Sequence, residues 1–333
     1  MSRGQLAGVG CLLAAALAGC PEEEAEERRR QPAAEAAGAP EEREAVPPAQ
    51  KREKRAPPEA RVVRPGDGGA ESVSPGGLLE PEDGPWTVRL AWSGEIRLGP
   101  RARARLGNVA PAQVVLARGW ARMVRSPSGA GRRAPLRLAT PTVTVVVPTS
   151  GRAWVAVPPG GRTWLAVTAG EVEVELAAGV EEAPRGRRVP AGKQVWVDGK
   201  LGATQPLPEG DGGLEDAAEA RAVALAGRSE AGEGGESPEE ALARLDAVLA
   251  ERDTQEARGR ALSEAHRRAL GDDANRAAEL RREIVGHSRA LISLHRRLLV
   301  TWERAAAQAL AAGTEEILGE RTRQVRRALA GQP

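Results

Sequence analysis

Tyrosine and phenylalanine are absent from this 333-residue chain, and the 2% aromatic content is tryptophan alone, seven residues of it. Any core must be built from aliphatic side chains and a few indoles. Cysteine is confined to Cys11 and Cys20, so no disulfide framework can hold the later part of the chain. An exported domain of this kind depends on its own packing. Histidine occurs only at His266, His287 and His295. Between 86 and 200 there is neither a thiol nor an imidazole to act as nucleophile or to activate a serine. The net charge of +2 excludes a uniformly basic nucleic-acid binder. The amino-terminal apolar stretch, Leu6 to Leu17, falls well short of the roughly 20 residues a spanning helix needs.

That stretch is nevertheless an address. Arg3 supplies a positive start, the apolar segment follows, small residues precede Cys20, and a charged run begins at Glu22. Leu17-Ala18-Gly19-Cys20 resembles a bacterial lipobox. The resemblance implies a diacylglycerol thioether on Cys20 and cleavage before it, with Leu17, Ala18 and Gly19 presenting the bond. Residues 1–19 would then be the signal peptide and Cys20 the only cysteine of the mature protein. The competing reading is an ordinary signal peptide with an incidental cysteine. Two or more acyl chains anchor stably where one is marginal. Pro21, where an inner-membrane retention signal would have Asp, favours the outer membrane, facing the periplasm.

Residues 20–84 are rich in Glu, Arg, Ala, Pro and Gly and show no apolar periodicity. Such composition predicts a lipidated, disordered linker. As a flexible coil, some 60 residues span about 40–50 Å. Residues 85–201 change character. Trp86, Val88, Leu90 and Trp92 alternate with polar neighbours, as do Val172, Val174 and Leu176 with Glu171, Glu173 and Glu175. Period-two alternation marks strands with one buried face. Further short strands are predicted at 114–116, 120–124, 136–138, 142–147, 153–157, 164–167 and 194–197, divided by Gly and Pro. Many short strands at close spacing predict an all-β sandwich, barrel or solenoid.

Residues 202–236 read as a Gly-rich acidic linker, with a helical turn or two near Leu214–Leu225. Residues 237–331 read as a helical hairpin. Ser237-Pro238-Glu239-Glu240 has the spacing of a capping box with proline at the first helical position. Gly271-Asp272-Asp273 is a turn, and Leu280, Ile284, Leu291, Leu294, Leu298 and Trp302 form a three-four seam. Gly313 ends that helix, and Thr314 starts a last one to about Leu329. The fold class is therefore mainly β plus α, with a disordered amino-terminal tether.

The β segment resembles the FecR-like periplasmic domain. The matching stretches are Leu136-Arg137-Leu138-Ala139-Thr140-Pro141, Val143 to Val147, Trp154-Val155-Ala156-Val157, Val167-Thr168-Ala169-Gly170-Glu171-Val172 and Val189-Pro190-Ala191-Gly192-Lys193-Gln194-Val195, with Ser93-Gly94-Glu95-Ile96 a weaker match. Val147-Pro148-Thr149-Ser150-Gly151 departs from the family's compact Gly-Thr. The resemblance implies a twisted, stacked β structure that binds partners without catalysis. Its best-known members relay a signal from a transporter to a sigma factor through a spanning helix and a cytoplasmic helical segment, and this sequence shows neither.

Several short motifs fail on spacing or on a missing partner. Gly186 to Lys193 is one residue too long for a phosphate loop and is followed by Gln194 where Ser or Thr is needed. Gly129 and Gly131 are half a dinucleotide fingerprint and read as a turn. Glu283 and His287 are half a metal site without a second half. Glu171, Glu173 and Glu175, in a row on one strand face, read as solvation and not as a facing glycosidase pair. Six of the seven tryptophans lie in the β segment and read as core fillers ahead of a sugar-stacking platform. The segment 86–200 holds 18 Arg and Lys against 7 Asp and Glu, a local +11. Outside the cytosol this suits anionic headgroups or acidic envelope polymers, or simply solubility. The expectation is thus a lipid-anchored envelope protein, not an enzyme, with no cofactor, no metal and no nucleic-acid partner. It binds or scaffolds an envelope protein or an anionic polymer, and can self-associate through its carboxy-terminal helices. The alternatives are an envelope signalling component with a membrane or sigma-factor partner, and a carbohydrate-active enzyme.

Overall fold

Alternation of Val, Leu and Ile with polar residues builds strands whose inward side chains are almost all aliphatic. In the computed structural model the described residues are 60–64, 69–90, 93–110, 113–127, 134–176, 186–228 and 236–330. The chain divides into two units, Met1–Arg55 and Ala56–Pro333, and every described residue belongs to the second. Leu17, Ala18, Gly19, Cys20, the signal peptide and most of the linker expected over 20–84 lie outside the described residues.

Among the described residues, fifteen strands pair into one continuous sheet that folds into two layers around a common core. The first layer contains β1 (Ala60–Val63), β2 (Ala70–Val73), β4 (Trp86–Leu90), β5 (Gly94–Leu98), β10 (Gly151–Val157), β13 (Lys193–Asp198), β14 (Lys200–Leu201) and β15 (Gln205–Pro206). The second contains β3 (Leu78–Leu79), β6 (Arg103–Leu106), β8 (Leu136–Ala139), β9 (Thr144–Val147) and β12 (Gly186–Pro190). Two strands of 13 residues, β7 (Gln113–Arg125) and β11 (Thr163–Glu175), run through both. The sequence alone divides each of these in two, between 116 and 120 and at Gly170. Gly119 and Gly170 have φ of 98° and 70°, which lets the strand turn a corner without ending. At Gly170 a side chain would also meet the Ser150 carbonyl oxygen at 2.4 Å. Pairing runs β7–β10–β11–β9–β8 and back to β7, so these five strands close a circuit. All pairings are antiparallel except β7 with β8. The core between the layers includes Val88, Ile96, Leu98, Leu116, Met123, Leu138, Val155 and Leu165.

Both outer faces are covered by helix. Helix α1 (Gly213–Ala226) lays Ala218, Ala222 and Leu225 on Trp120, Trp154 and Trp164 of the first layer. Helices α2 (Pro238–Asp272) and α3 (Ala274–Ala312) form an antiparallel hairpin against Val115, Ala117 and Ala139 of the second. A short 3-10 helix, Glu315–Leu318, and α4 (Gly319–Ala330) close its base through Leu318, Val325 and Ala328. The fold is mixed β and α, with a β-rich body and carboxy-terminal helices.

Two boundaries differ from the sequence reading. The body begins at β1, so 60–84 is not all linker; four-residue strands such as Ala-Arg-Val-Val carry too little alternation to stand out. Part of 202–236 is α1, whose face is mostly alanine and so gives a weak apolar period. The helix signals fared better. Ser237 and Glu240 form the reciprocal capping box, Asp273 caps α3 through the Arg276 N–H, and Gly313 ends α3 in the left-handed region at φ 72°.

Candidate functional site

Helix α3 connects a buried polar cluster to an exposed tip. On the outer face of the second layer stand Gln113, Arg137, Thr144, Glu173 and Glu175, each one residue out of phase with the core. Glu303 of α3 is fully buried over them, while Arg137 and Glu175 are 8% and 2% exposed. Arg137 donates to both carboxylate oxygens of Glu303 and to Glu175, each at 2.9 Å. Gln113 and Thr144 donate to Glu303 at 2.5 Å. Arg296 of α3 pairs with Glu175, and with Glu173 at 2.8 Å. Burial opposes the Arg137 charge, but Glu303 and Glu175 outweigh it and raise the guanidinium's pKa. Two carboxylates, a guanidinium and two neutral donors thus fix where the hairpin sits.

This corrects the reading of the three glutamates as a solvated row. Only Glu171 is exposed; Glu175 is buried and Glu173 half-buried, because α3 packs on that face. Outward on a strand means away from the sheet core, not toward water. Trp120, Trp154 and Trp164 are buried, but under α1 and not between the layers, while Trp86 and Trp196 are half-buried and Trp92 lies outside the described residues. Glu215 of α1 accepts hydrogen bonds from Arg122 (2.5 Å), Trp154 (3.1 Å) and Thr168 (2.5 Å). Burial works against its charge, but those donors and the Arg122 charge prevail, and hold the carboxyl below its ordinary value.

Beyond Leu249 on α2 and before Leu294 on α3 the hairpin leaves the body. Its seam continues as Ala277, Leu280, Ile284, His287 and Leu291 from α3. At His287 the opposing residue is Gly259, where a β-carbon would stand 2.8 Å from the imidazole Nε2. His287 is therefore a seam residue seated on bare backbone. His295 packs nearer the body, where burial and the Arg252 charge, opposed by Glu256, lower its pKa. Glu283, one turn before His287, is exposed and stands 4.0 Å from Arg276, and among the described residues no group of three or more His, Cys, Asp or Glu could hold a metal. The outer surface of this arm carries Leu270, Val285 and Ile292, exposed by 65%, 48% and 68%. Val285 and Ile292 are seven residues apart on α3, a stripe the seam pattern concealed. No described helix is long and apolar enough to cross a membrane.

No protein-family model matches the chain. No curated protein matches it in sequence. Two crystal structures of a protein described as a "putative anti-sigma factor" from Parabacteroides distasonis are similar to it, at 19% and 18% identity and a TM-score of 0.30 each. The match covers 39% of this chain and 58% of theirs, less than two thirds of their length.

Proposed function

We propose that the protein is a non-catalytic interaction protein of the bacterial cell envelope, held to the membrane by lipid on Cys20, with the α2–α3 arm as its partner-facing element. The observation that carries this is the contrast along α3. Its carboxy-terminal half is locked to the β body through Glu303 and Arg296, while its amino-terminal half extends into solvent and exposes Val285 and Ile292. Apolar residues left exposed on a rigid projecting element mark an interaction surface. Anchoring follows from the lipobox resemblance, and a non-catalytic role from the FecR-like resemblance of the strands. A photo-crosslinking residue at position 292 tests the arm in intact cells. A discrete crosslinked species, lost when Val285 is replaced by Asp, is expected; no species, or the same species from an exposed position on the β body, would refute the arm. Mass spectrometry of the mature amino terminus tests the anchor, and a protein still beginning at Met1 would refute it.

A second reading uses the same elements. Helix α3 is continuous from the exposed arm to the Glu303 cluster, so a partner held at the tip could pass an envelope signal to a membrane or sigma-factor partner. Loss of a downstream transcriptional response in an Arg137→Met strain that still retains the crosslink would favour relay over scaffolding.

A further inference from the structure

A cleft of about 380 Å3 opens between the carboxy-terminal end of α1 and the edge of the first layer, at the low end of the range of small-ligand pockets. Trp120 and Val157 line it beneath the surface, Pro159 and Val223 flank it, and Arg101 and Arg118 stand at its mouth. Val223 is 47% exposed there. Among the described residues neither guanidinium has an ion-pair partner and no carboxylate lines the cleft. Some exposed arginines of the body, Arg64 and Arg162 among them, do have acidic partners, whereas Arg61, Arg89 and Arg152 have no ion pair among the described residues.

Arg101 is held there against its backbone preference. Among the described residues it is the one non-glycine with positive φ, at 61°. The Ala102 N–H donates to the Gly99 carbonyl at 3.2 Å, so Pro100 and Arg101 are the central residues of a turn. Proline suits the second position of such a turn, and the left-handed third position favours glycine. The Arg101 N–H is fastened to the Pro81 carbonyl at 2.6 Å, and the Gly99 N–H to the Trp120 carbonyl at 2.9 Å. Gly99 is required, because a β-carbon would fall 2.1 Å from the Trp120 ring. A charged side chain at a site that glycine would fill with less strain points from strain toward a role.

We propose that this cleft binds a single-chain amphiphile with an anionic head. The carboxylate sits between Arg101 and Arg118, and the apolar chain lies along Val223, Pro159 and the edge of Trp120. Guanidinium matches carboxylate geometry through paired N–H donors, and the apolar lining gives the chain a surface to leave water for. The inference does not depend on the partner reading of the arm, which involves other elements.

The test is calorimetric titration of the full chain carrying Cys20→Ser with decanoate, and with decyltrimethylammonium as the same tail under the opposite charge, both below their micelle concentrations. Saturable decanoate binding at one site is expected, with the ammonium compound at least tenfold weaker. Arg101→Gly should weaken decanoate at least tenfold while leaving Tm unchanged or raised, since glycine fits φ 61°. Arg118→Gln and Val223→Asp, both at exposed positions, should weaken it comparably. Equal binding of the two amphiphiles, decanoate binding unaffected by Arg101→Gly, or no saturable decanoate binding would each overturn the proposal.

Discussion

Replacing Arg137 with methionine tests whether the polar cluster fixes the hairpin. The substitution keeps much of the side chain's volume and removes the one cation that touches both Glu303 and Glu175. Glu175 retains Arg296, so its loss is partial. Glu303, fully buried, is left with only the neutral donors Gln113 and Thr144. Stranding one charge of a buried pair costs about 3–5 kcal/mol. With an unfolding entropy of roughly 2.1 cal/mol/K per residue over the folded unit, this lowers Tm by roughly 5–9 °C. The double variant Arg137→Met with Glu303→Met removes both charges and leaves Gln113 and Thr144 as unpaired neutral donors at about 1–3 kcal/mol each, so its loss should fall clearly short of the sum of the two single-variant losses. Thermal unfolding followed by circular dichroism at neutral pH reads both effects. A drop below about 2 °C for Arg137→Met, or single-variant effects that simply add, would refute the claim that these charges act as one unit.

Two further outcomes follow from the packing. The Glu215 carboxyl is held below its ordinary value, so its stabilisation is fully present above the unfolded carboxylate range, near pH 4.3, and is lost as pH falls through the lower folded value. Acid titration should therefore expose Trp120 and Trp154 as a red shift in tryptophan emission, and Glu215→Gln should show part of that shift already at pH 7. At the arm's seam, Gly259→Ala brings a methyl group against the His287 ring and should lower Tm. The same change combined with His287→Ala removes the clash and should raise Tm above the single variant, the roughly 1 kcal/mol of helix propensity that alanine adds at 259 being common to both.

How far the sequence could be read depended on whether a signal was local. Capping at Ser237, the break at Asp273 and the stop at Gly313 involve neighbours three or four residues apart, and each is in place. The alternation of Val172 and Val174 with Glu171, Glu173 and Glu175 correctly gave a strand and its inward face. It could not say that α3, more than a hundred residues later, would cover the other face and turn Glu175 into a buried anion. Glu303, among alanines in a helical pattern, gave no hint of its burial, and Arg137 looked like any other strand arginine. The sign available was indirect: Gln113, Arg137 and Thr144 are polar residues in otherwise aliphatic strands, a pattern that two covered faces make costly unless the groups meet. Glycine misled in the opposite direction. Gly170 reads as a strand end, and β7 reads as two strands on either side of 117–119, because tight turns and corner-turning strands use the same left-handed backbone. The two arginines at the α1 cleft come from a turn (Arg101) and from the middle of β7 (Arg118) and leave no trace in linear spacing.

The circuit closed by β7, β10, β11, β9 and β8 has a kinetic consequence. A strand at a free border can peel away at the cost of one ladder, but a member of a closed hoop must break two seams together. Opening should therefore be rare and all-or-none, with slow hydrogen exchange at Val155 and Leu165 well after β1, β2 and the far half of the hairpin have exchanged. Proteases would trim the periphery first and leave the hoop as a resistant remnant.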